Sequence, residues 1–362
     1  MPILSHDTHD APMSTRRPRL MLLSMYPLDA GIWGATARIT HMRDELRTMV
    51  ELDVVSGLRL PRSVALARYV TSRRLSGLAG IYVETSTTLP GPVDVAFMAL
   101  ARSLRIPVLT YLRDAQPLFP EYYRGGSPKR WLSRTLFRPA FAALGAASDR
   151  VAYPSTGLAA AFGDHDDPLL IPPGAPEPVV VPRAANADRL LFVGGMRYPV
   201  HGLDILFGAI ERVRAEGIPI RLTCVSRPGE EPPPPYPAWF SLARGSGPEI
   251  HRLLPDVLAT VQPRHRSPYN DLGVPVKIME YLSYGRPLLV TNCTETERII
   301  RDAGAGVVVD DTAEDLARGI RELATAGTTV LNAYSDAATR AATEQSWHAR
   351  AQHVVQILGA AR

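Results

Sequence analysis

Lys277 and Glu280 stand three residues apart in the stretch GVPVKIMEYLSYGRPLLV, Gly273 to Val290. The chain holds only two lysines, Lys129 and Lys277, among its 40 Lys and Arg residues. Arginine presents a wide planar fork and lysine a compact point charge, so a retained lysine fits a place where a guanidinium would not. Pro275 suits the first position of a helix and Gly285 its C′ position, which predicts a helix from about Pro275 to Tyr284. Ile278, Met279 and Leu282 then face the core, while Lys277, Glu280 and Tyr284 share another stripe. The ordinary alternative is a surface ion pair between Lys277 and Glu280, worth only a few tenths of a kcal/mol. Its polarity is wrong for that role, because Lys277 would occupy the first turn, at the positive end of the helix dipole. A cation there makes sense if an anion shares the helix start, and helix N-termini bind phosphate. Gly273 lets a ligand approach the backbone. Lys277 would face the anion, and Glu280 would accept hydrogen bonds from a vicinal diol such as ribose.

Two glycine loops offer the same chemistry. FVGGMRYPVHG places Gly194 and Gly195 directly after a strand pattern, with Arg197 and His201 before a helix pattern. AGIWGA places Gly31 and Gly34 after the first strand pattern. Either loop alone is as readily a simple turn. Together with the Lys277–Glu280 helix they suggest a sugar nucleotide bridging a cleft.

The elements that must position these residues alternate in βα fashion. RLMLLSMYP, VELDVVSG, the apolar run Ile106 to Leu112 and SDRVAYPS read as strands of a parallel sheet covered by helices. The stretch Ile171–Asp188, rich in Pro and Ala, reads as a linker. A second βα series follows, with strands at RLLFVGG, PIRLTCVS, LATVQP and RPLLVTN and a proline-rich loop, RPGEEPPPPYPAW. The expectation is α/β: two Rossmann-like, doubly wound domains facing a central cleft, with ligands at the carboxyl ends of the strands. The divisions are a disordered leader over 1–18, an acceptor domain over 19–180 and a nucleotide-sugar domain over 181–340. A final helix over 341–362 packs back toward the first domain through Trp347, Ala351, Val354, Val355 and Leu358.

Composition narrows the functional classes. The 362 residues carry a net charge of +4, with no run of arginines along one face, which argues against nucleic acid as a partner. Cys224 and Cys293 fit no metal-ligand spacing, and two isolated cysteines suit a reducing cytoplasm. No apolar run reaches the ~18 residues of a membrane span. The preference for Arg over Lys points to a GC-rich bacterial source. PKRWLSRTLFRPAFAAL, Pro128 to Leu144, combines Lys129, Arg130, Arg134 and Arg138 with Trp131, Leu132, Leu136, Phe137 and Phe141. It reads either as a sheet-covering helix with a basic outer face or as peripheral contact with the inner face of a membrane.

PVKIMEYLSYGRPLLVTN, the loop LLFVGG with HGLDIL, and LLSMYPLDAGIWGATARITHMRDEL together resemble the retaining GT4 glycosyltransferases of GT-B fold, over nearly the whole chain. The resemblance implies that Glu280 binds the nucleotide ribose and that Gly31 and Gly34 lie near the donor diphosphate. Gly194, Gly195, His201 and Arg197 would belong to the diphosphate loop, and Leu272, Gly273 and Val274 would run along the nucleotide sugar. Leu272 stands where the family usually has a second glutamate. Gly195 stands at the family's usual arginine, with Arg197 the candidate replacement, and Arg113, in YLRD, stands at a strand end where the family often has histidine. The implied activity is transfer of a sugar, with retention, from a nucleotide diphosphate donor to a hydroxyl of a glycan, lipid or small-molecule acceptor. Arg113, Lys277 and Arg197 would be the catalytic groups. No metal or cofactor is implied, and DHDDP, Asp164–Pro168, lies far from the phosphate loops. A nucleotide-sugar 2-epimerase of similar fold and a catalytically silent nucleotide-binding subunit are the alternatives.

Overall fold

The computed structural model describes residues 17–28, 34–119, 127–196, 201–231 and 234–360. The first half forms β1 (Arg19–Ser24), α1 (Gly34–Met49), β2 (Glu51–Ser56), α2 (Arg59–Thr71), β3 (Gly80–Glu84) and α3 (Pro92–Ser103). It continues with β4 (Val108–Tyr111), α4 (Pro128–Ala146), β5 (Arg150–Tyr153), α5 (Thr156–Phe162) and β6 (Leu169–Leu170). The second half forms β7 (Arg189–Val193), α6 (Leu203–Ala215), β8 (Arg221–Val225), β9 (Phe240–Ala243), α7 (Pro248–His251) and β10 (Val257–Gln262). After these come α8 (Val276–Ser283), β11 (Leu288–Thr291), α9 (Thr294–Ala303), β12 (Gly306–Val309), α10 (Ala313–Thr325), α11 (Thr328–Glu344) and α12 (Trp347–Ala360).

Each half is a six-stranded parallel sheet, ordered β2-β1-β3-β4-β5-β6 and β12-β11-β10-β7-β8-β9. Strand order reverses between β1 and β3 in the first sheet and between β7 and β10 in the second. Loops leaving the carboxyl ends of strands at such a reversal diverge to opposite faces and leave a crevice. The Gly194 loop leaves β7, and the chain leading to α8 leaves β10, so the second crevice brings together segments that are distant in sequence.

Alternation within β1 shows how the layers are held. Met21 and Leu23 face one core with Leu66, Phe97, Phe137 and Phe141 from α2, α3 and α4. Leu20 and Leu22 face another with Ile39 and Met42 of α1 and Trp347, Val354 and Leu358 of α12. In the second sheet, Leu203, Leu206, Leu316 and Ile320 of α6 and α10 cover one face, while Ile278, Met279, Leu282, Ile299 and Ala338 of α8, α9 and α11 cover the other. The last helix thus follows the second domain in sequence and packs in the core of the first.

The chain crosses between the sheets in two places, through the segment after β6 and through the turn before α12. These crossings touch. Ala175 N donates to Gln345 O at 2.8 Å, and Trp347 N donates to Ala175 O at 3.1 Å. Gly174 permits the contact, since a β-carbon there would stand 2.6 Å from the Trp347 α-carbon.

The observed elements refine the sequence expectations. The helix predicted over Pro275–Tyr284 is Val276–Ser283, with Pro275 as its N-cap and Tyr284 as its C-cap. Gly285 follows with φ of 56°, the left-handed turn expected there. Strands β3, β6, β9 and β12 lie outside those expectations, each being too short for a periodic pattern to stand out.

Candidate functional site

The residues expected to hold a nucleotide gather at the β7/β10 crevice. Tyr281, fully buried on α8, binds the end of β7 through its hydroxyl: Val193 N donates to it at 2.7 Å, and it donates to Val193 O at 3.3 Å. This bond fixes α8 against the strand that leads into the Gly194 loop. Gly194 has φ of 144°, a region that L side chains avoid. The Lys277 side chain runs across its α-carbon, where any β-carbon would overlap the ammonium nitrogen. Lys277 Nζ also lies 5.7 Å from the centre of the Phe192 ring. Gly195 is less tightly enclosed: a β-carbon would stand 3.2 Å from Glu230 Oε2 and 3.4 Å from His201 Nε2. The structure therefore brings Gly194, Gly195, His201 and Lys277 into one cluster. Arg197 and Gly31 lie outside the described residues, and Gly34 is the first residue of α1.

Lys277 and Glu280 form no ion pair; burial pulls the Lys277 ammonium down to about 8, with Glu280 and Glu230 pushing it back up and Arg227 and Arg264 lowering it. Such a group gains from an anion, which would restore the charge-favouring environment that burial removes. Glu280 is held by Tyr284, whose hydroxyl donates to Oε1 at 2.6 Å. Oε2 makes no hydrogen bond among the described residues, and it is the oxygen open to a diol. Tyr284 departs from the sequence expectation. The spacing puts it on the outer stripe with Lys277, but its ring is 2% exposed and belongs to the core under α11. Only its hydroxyl returns to Glu280. Glu280 also acts across the domain boundary, where its charge reaches His41 of α1, which stacks on Trp347 at 5.0 Å between ring centres.

Beside this cluster a pocket of about 170 Å³ opens between the domains. Arg38, Tyr111, Arg113 and Asp114 line it from the first domain, and Arg264 with Leu272–Val276 from the second. The guanidinium of Arg113 sits over the Tyr26 ring at 5.3 Å. Asp114 accepts from the Tyr269 hydroxyl across the cleft at 2.9 Å, and burial raises its carboxyl above the ordinary range against the pull of that bond. Leu272 joins the domains: its carbonyl accepts from Ser155 Oγ at 2.6 Å, and its side chain packs at Gly157, where a β-carbon would stand 3.1 Å away. Gly273 and Val274 complete the wall, Val274 being 8% exposed and part of the second-domain core. Glu295 adds another link, accepting from Thr156 Oγ1 at 3.1 Å and Gly157 N at 3.3 Å.

Residues 187–326, which carry the Gly194 loop, Lys277 and Glu280, match the family model Glycosyl transferases group 1. Over that stretch the second domain is similar to the group 1 glycosyltransferases. The chain superposes over more than nine-tenths of its length on solved two-domain structures of the GT-B fold, and its fold is GT-B. HepE of Anabaena, in complex with UDP and glucose, matches with a TM-score of 0.63 and 14% identity, covering 93% of this chain and 98% of that one. Sucrose-phosphate synthase of Thermosynechococcus elongatus matches with 0.63 and 15%, covering 94% and 98%. The UDP-forming α,α-trehalose-phosphate synthase of Burkholderia xenovorans, in complex with glucose-6-phosphate, matches with 0.59 and 10%, covering 94% and 99%. No curated protein sequence matches the chain.

The first domain of this glycosyltransferase fold holds a charged group that sequence reasoning missed. Arg38, 2% exposed, donates from Nε to Glu84 Oε1 at 3.1 Å and from Nη2 to the Tyr82 hydroxyl at 3.2 Å, and lies over the Tyr111 ring at 3.6 Å. Tyr82 in turn donates to Glu84 Oε1 at 2.5 Å. Arg38 thus forms part of the pocket wall with its charge paired to Glu84. The available signal was the carboxylate at the end of GIYVETS, since a charge closing an apolar strand points to the carboxyl edge of a sheet. Arg264 was missed as well, because it follows β10 in an irregular segment and meets the site only through sheet order. Among the described residues no cluster of three or more His, Cys, Asp or Glu side chains could hold a metal ion. Cys224 and Cys293 are free and buried.

Proposed function

We propose that the chain transfers a sugar from a nucleoside diphosphate donor to an acceptor hydroxyl with retention of configuration, as a GT4-type enzyme independent of metal. The observation that carries this reading is the Lys277 ammonium seated over Gly194 beside the free oxygen of Glu280, a point charge and a diol acceptor at the mouth of one crevice. In this reading the donor diphosphate occupies the start of α8 against Gly194, Gly195 and His201, with Arg197 on the same loop. The ribose hydroxyls donate to Glu280. The transferred sugar lies along Leu272–Val274 in the pocket, facing Arg113, and the acceptor enters from the first domain. UDP bound to HepE, and glucose-6-phosphate bound to the trehalose-phosphate synthase, are ligands of the required classes.

As the bond from the anomeric carbon to the diphosphate oxygen breaks, charge grows on the leaving group near Lys277 and Arg264. The acceptor oxygen attacks on the same face, and its proton passes to the departing diphosphate. Cations fixed in advance around a developing charge lower the barrier without reorganising. No cofactor beyond the donor enters this scheme, and the enzyme would act in the cytoplasm of a bacterium.

Thermal-shift titration with UDP, GDP and TDP tests the reading, because a ligand that binds only the native state raises its melting temperature. One nucleotide should stabilise the protein, and Glu280→Gln should remove most of the shift. Its diphosphate sugar should then be consumed only when an acceptor extract is added. Consumption without acceptor would instead indicate an isomerase, and binding without turnover a silent subunit.

A further inference from the structure

Helices α2, α3 and α4 lie side by side on the outer face of the first sheet. Arg62 of α2 pairs with Asp94 of α3 at 2.6 Å, and Arg102 of α3 donates to the Ala146 carbonyl at the end of α4 at 2.6 Å. Ten of the twelve large apolar side chains exposed among the described residues fall on these helices or their caps. Trp131 is 67% exposed, Leu60 76% and Leu132 48%. Asp94, buried against Arg62, is the only carboxylate within the three helices. Their solvent face instead carries Arg59, Arg68, Arg134 and Arg138.

We propose that this layer docks the protein on an anionic lipid bilayer. A face that joins exposed Trp and Leu with arginines and no exposed carboxylate matches the headgroup zone, where apolar side chains insert and basic ones meet anionic lipid. A second copy of the chain would set the same arginines against each other. Each of these helices follows the carboxyl end of a strand, so Leu60, Trp131 and Leu132 lie at the cleft edge of the layer. A bilayer held there lies beside the site, within reach of an acceptor anchored in it. The docking does not depend on the glycosyl-transfer reading.

The test is co-sedimentation of the full chain with phosphatidylglycerol–phosphatidylcholine vesicles, beside vesicles of phosphatidylcholine alone. Binding is expected to the anionic vesicles only, and to weaken as salt is added. The double variant Arg134→Glu/Arg138→Glu should lose at least about tenfold in partitioning, and Trp131→Ser/Leu132→Ser a comparable amount. Circular dichroism of each variant should match the parent, since all four side chains are exposed. Absence of binding to anionic vesicles, or binding that neither variant weakens, would overturn the proposal. So would sedimentation velocity showing a dimer that Trp131→Ser/Leu132→Ser converts to monomers, which would make the face a contact between copies.

Discussion

The Lys277 ammonium occupies the space a side chain on Gly194 would need. The loop glycine and the helix lysine therefore constrain each other. Lys277→Arg should impair donor binding nearly as much as Lys277→Ala, because the broader guanidinium has no room over the Gly194 α-carbon. Gly194→Ala should do the same from the other side, at an added cost of ~1–3 kcal/mol for its backbone conformation. Isothermal titration with the stabilising nucleotide measures both, and full affinity in the Arg variant would show that the close fit has no bearing on the ligand.

Stability should depend on pH through Lys277. Its folded value of about 8 lies below the ordinary 10.5, so the unfolded chain holds this proton more tightly than the native one. Below pH 8 both states carry the proton and the fold bears the whole cost of a buried cation. As pH rises from about 8 to 10.5 that cost disappears. Lys277→Met should therefore stabilise the empty protein at pH 7 by about 3 kcal/mol, and this gain should fade toward zero by pH 10.5. Urea unfolding across this range reads the difference, and an equal gain at both ends would assign it to packing instead.

Glu280→Gln should lower nucleotide affinity at least tenfold, corresponding to ~1.5–3 kcal/mol for a hydrogen bond to a charged group. The amide oxygen can still accept from Tyr284, so the fold should persist, while the second oxygen becomes a donor facing the diol. Tyr284→Phe should cost less affinity, since it only releases the carboxylate from its fixed orientation. If Glu280→Gln binds every nucleotide as tightly as the parent, the ribose role is wrong.

Arg113→Ala should reduce kcat much more than nucleotide affinity, since Arg113 faces the pocket from the first domain and the cluster proposed to bind the nucleotide lies on the second. Steady-state kinetics with separate nucleotide titrations would show the split, and a parallel loss of both would place Arg113 on the donor.

Local spacing makes part of this site legible in the sequence. Lys277, Glu280 and Gly285 are near neighbours along the chain, and the strand–glycine pattern at Gly194 needs no distant partner. The helix, its stop and the loop therefore follow from adjacent residues. Tyr284 cannot be placed this way. It follows Lys277 by seven residues, which returns it to nearly the same angle ~10 Å further along the axis. There α11 covers the helix, so an identical direction means cleft for one residue and core for the other. Arg38 and Glu84 escape for a different reason, being joined by the order of β1 and β3, which no single stretch of chain encodes. Two βα series with a linker between them suffice for the domain architecture, because parallel sheets declare themselves through repeated apolar strands and helices.

The paired crossings at Gly174–Ala175 and Gln345–Trp347 have a mechanical consequence. A single tether would let one domain roll, tilt and twist over the other. Two tethers bonded edge to edge act as an axle: sliding is blocked, and the remaining freedom is rotation about the line through the bridge. Any opening about that line would have to break the Ser155–Leu272 and Asp114–Tyr269 bonds together. Cutting the chain before α12 would remove one of the two tethers and strip Trp347 from the first-domain core. A shortened chain should therefore lose its alignment and its first domain together, although the second domain would keep every residue of its own sheet.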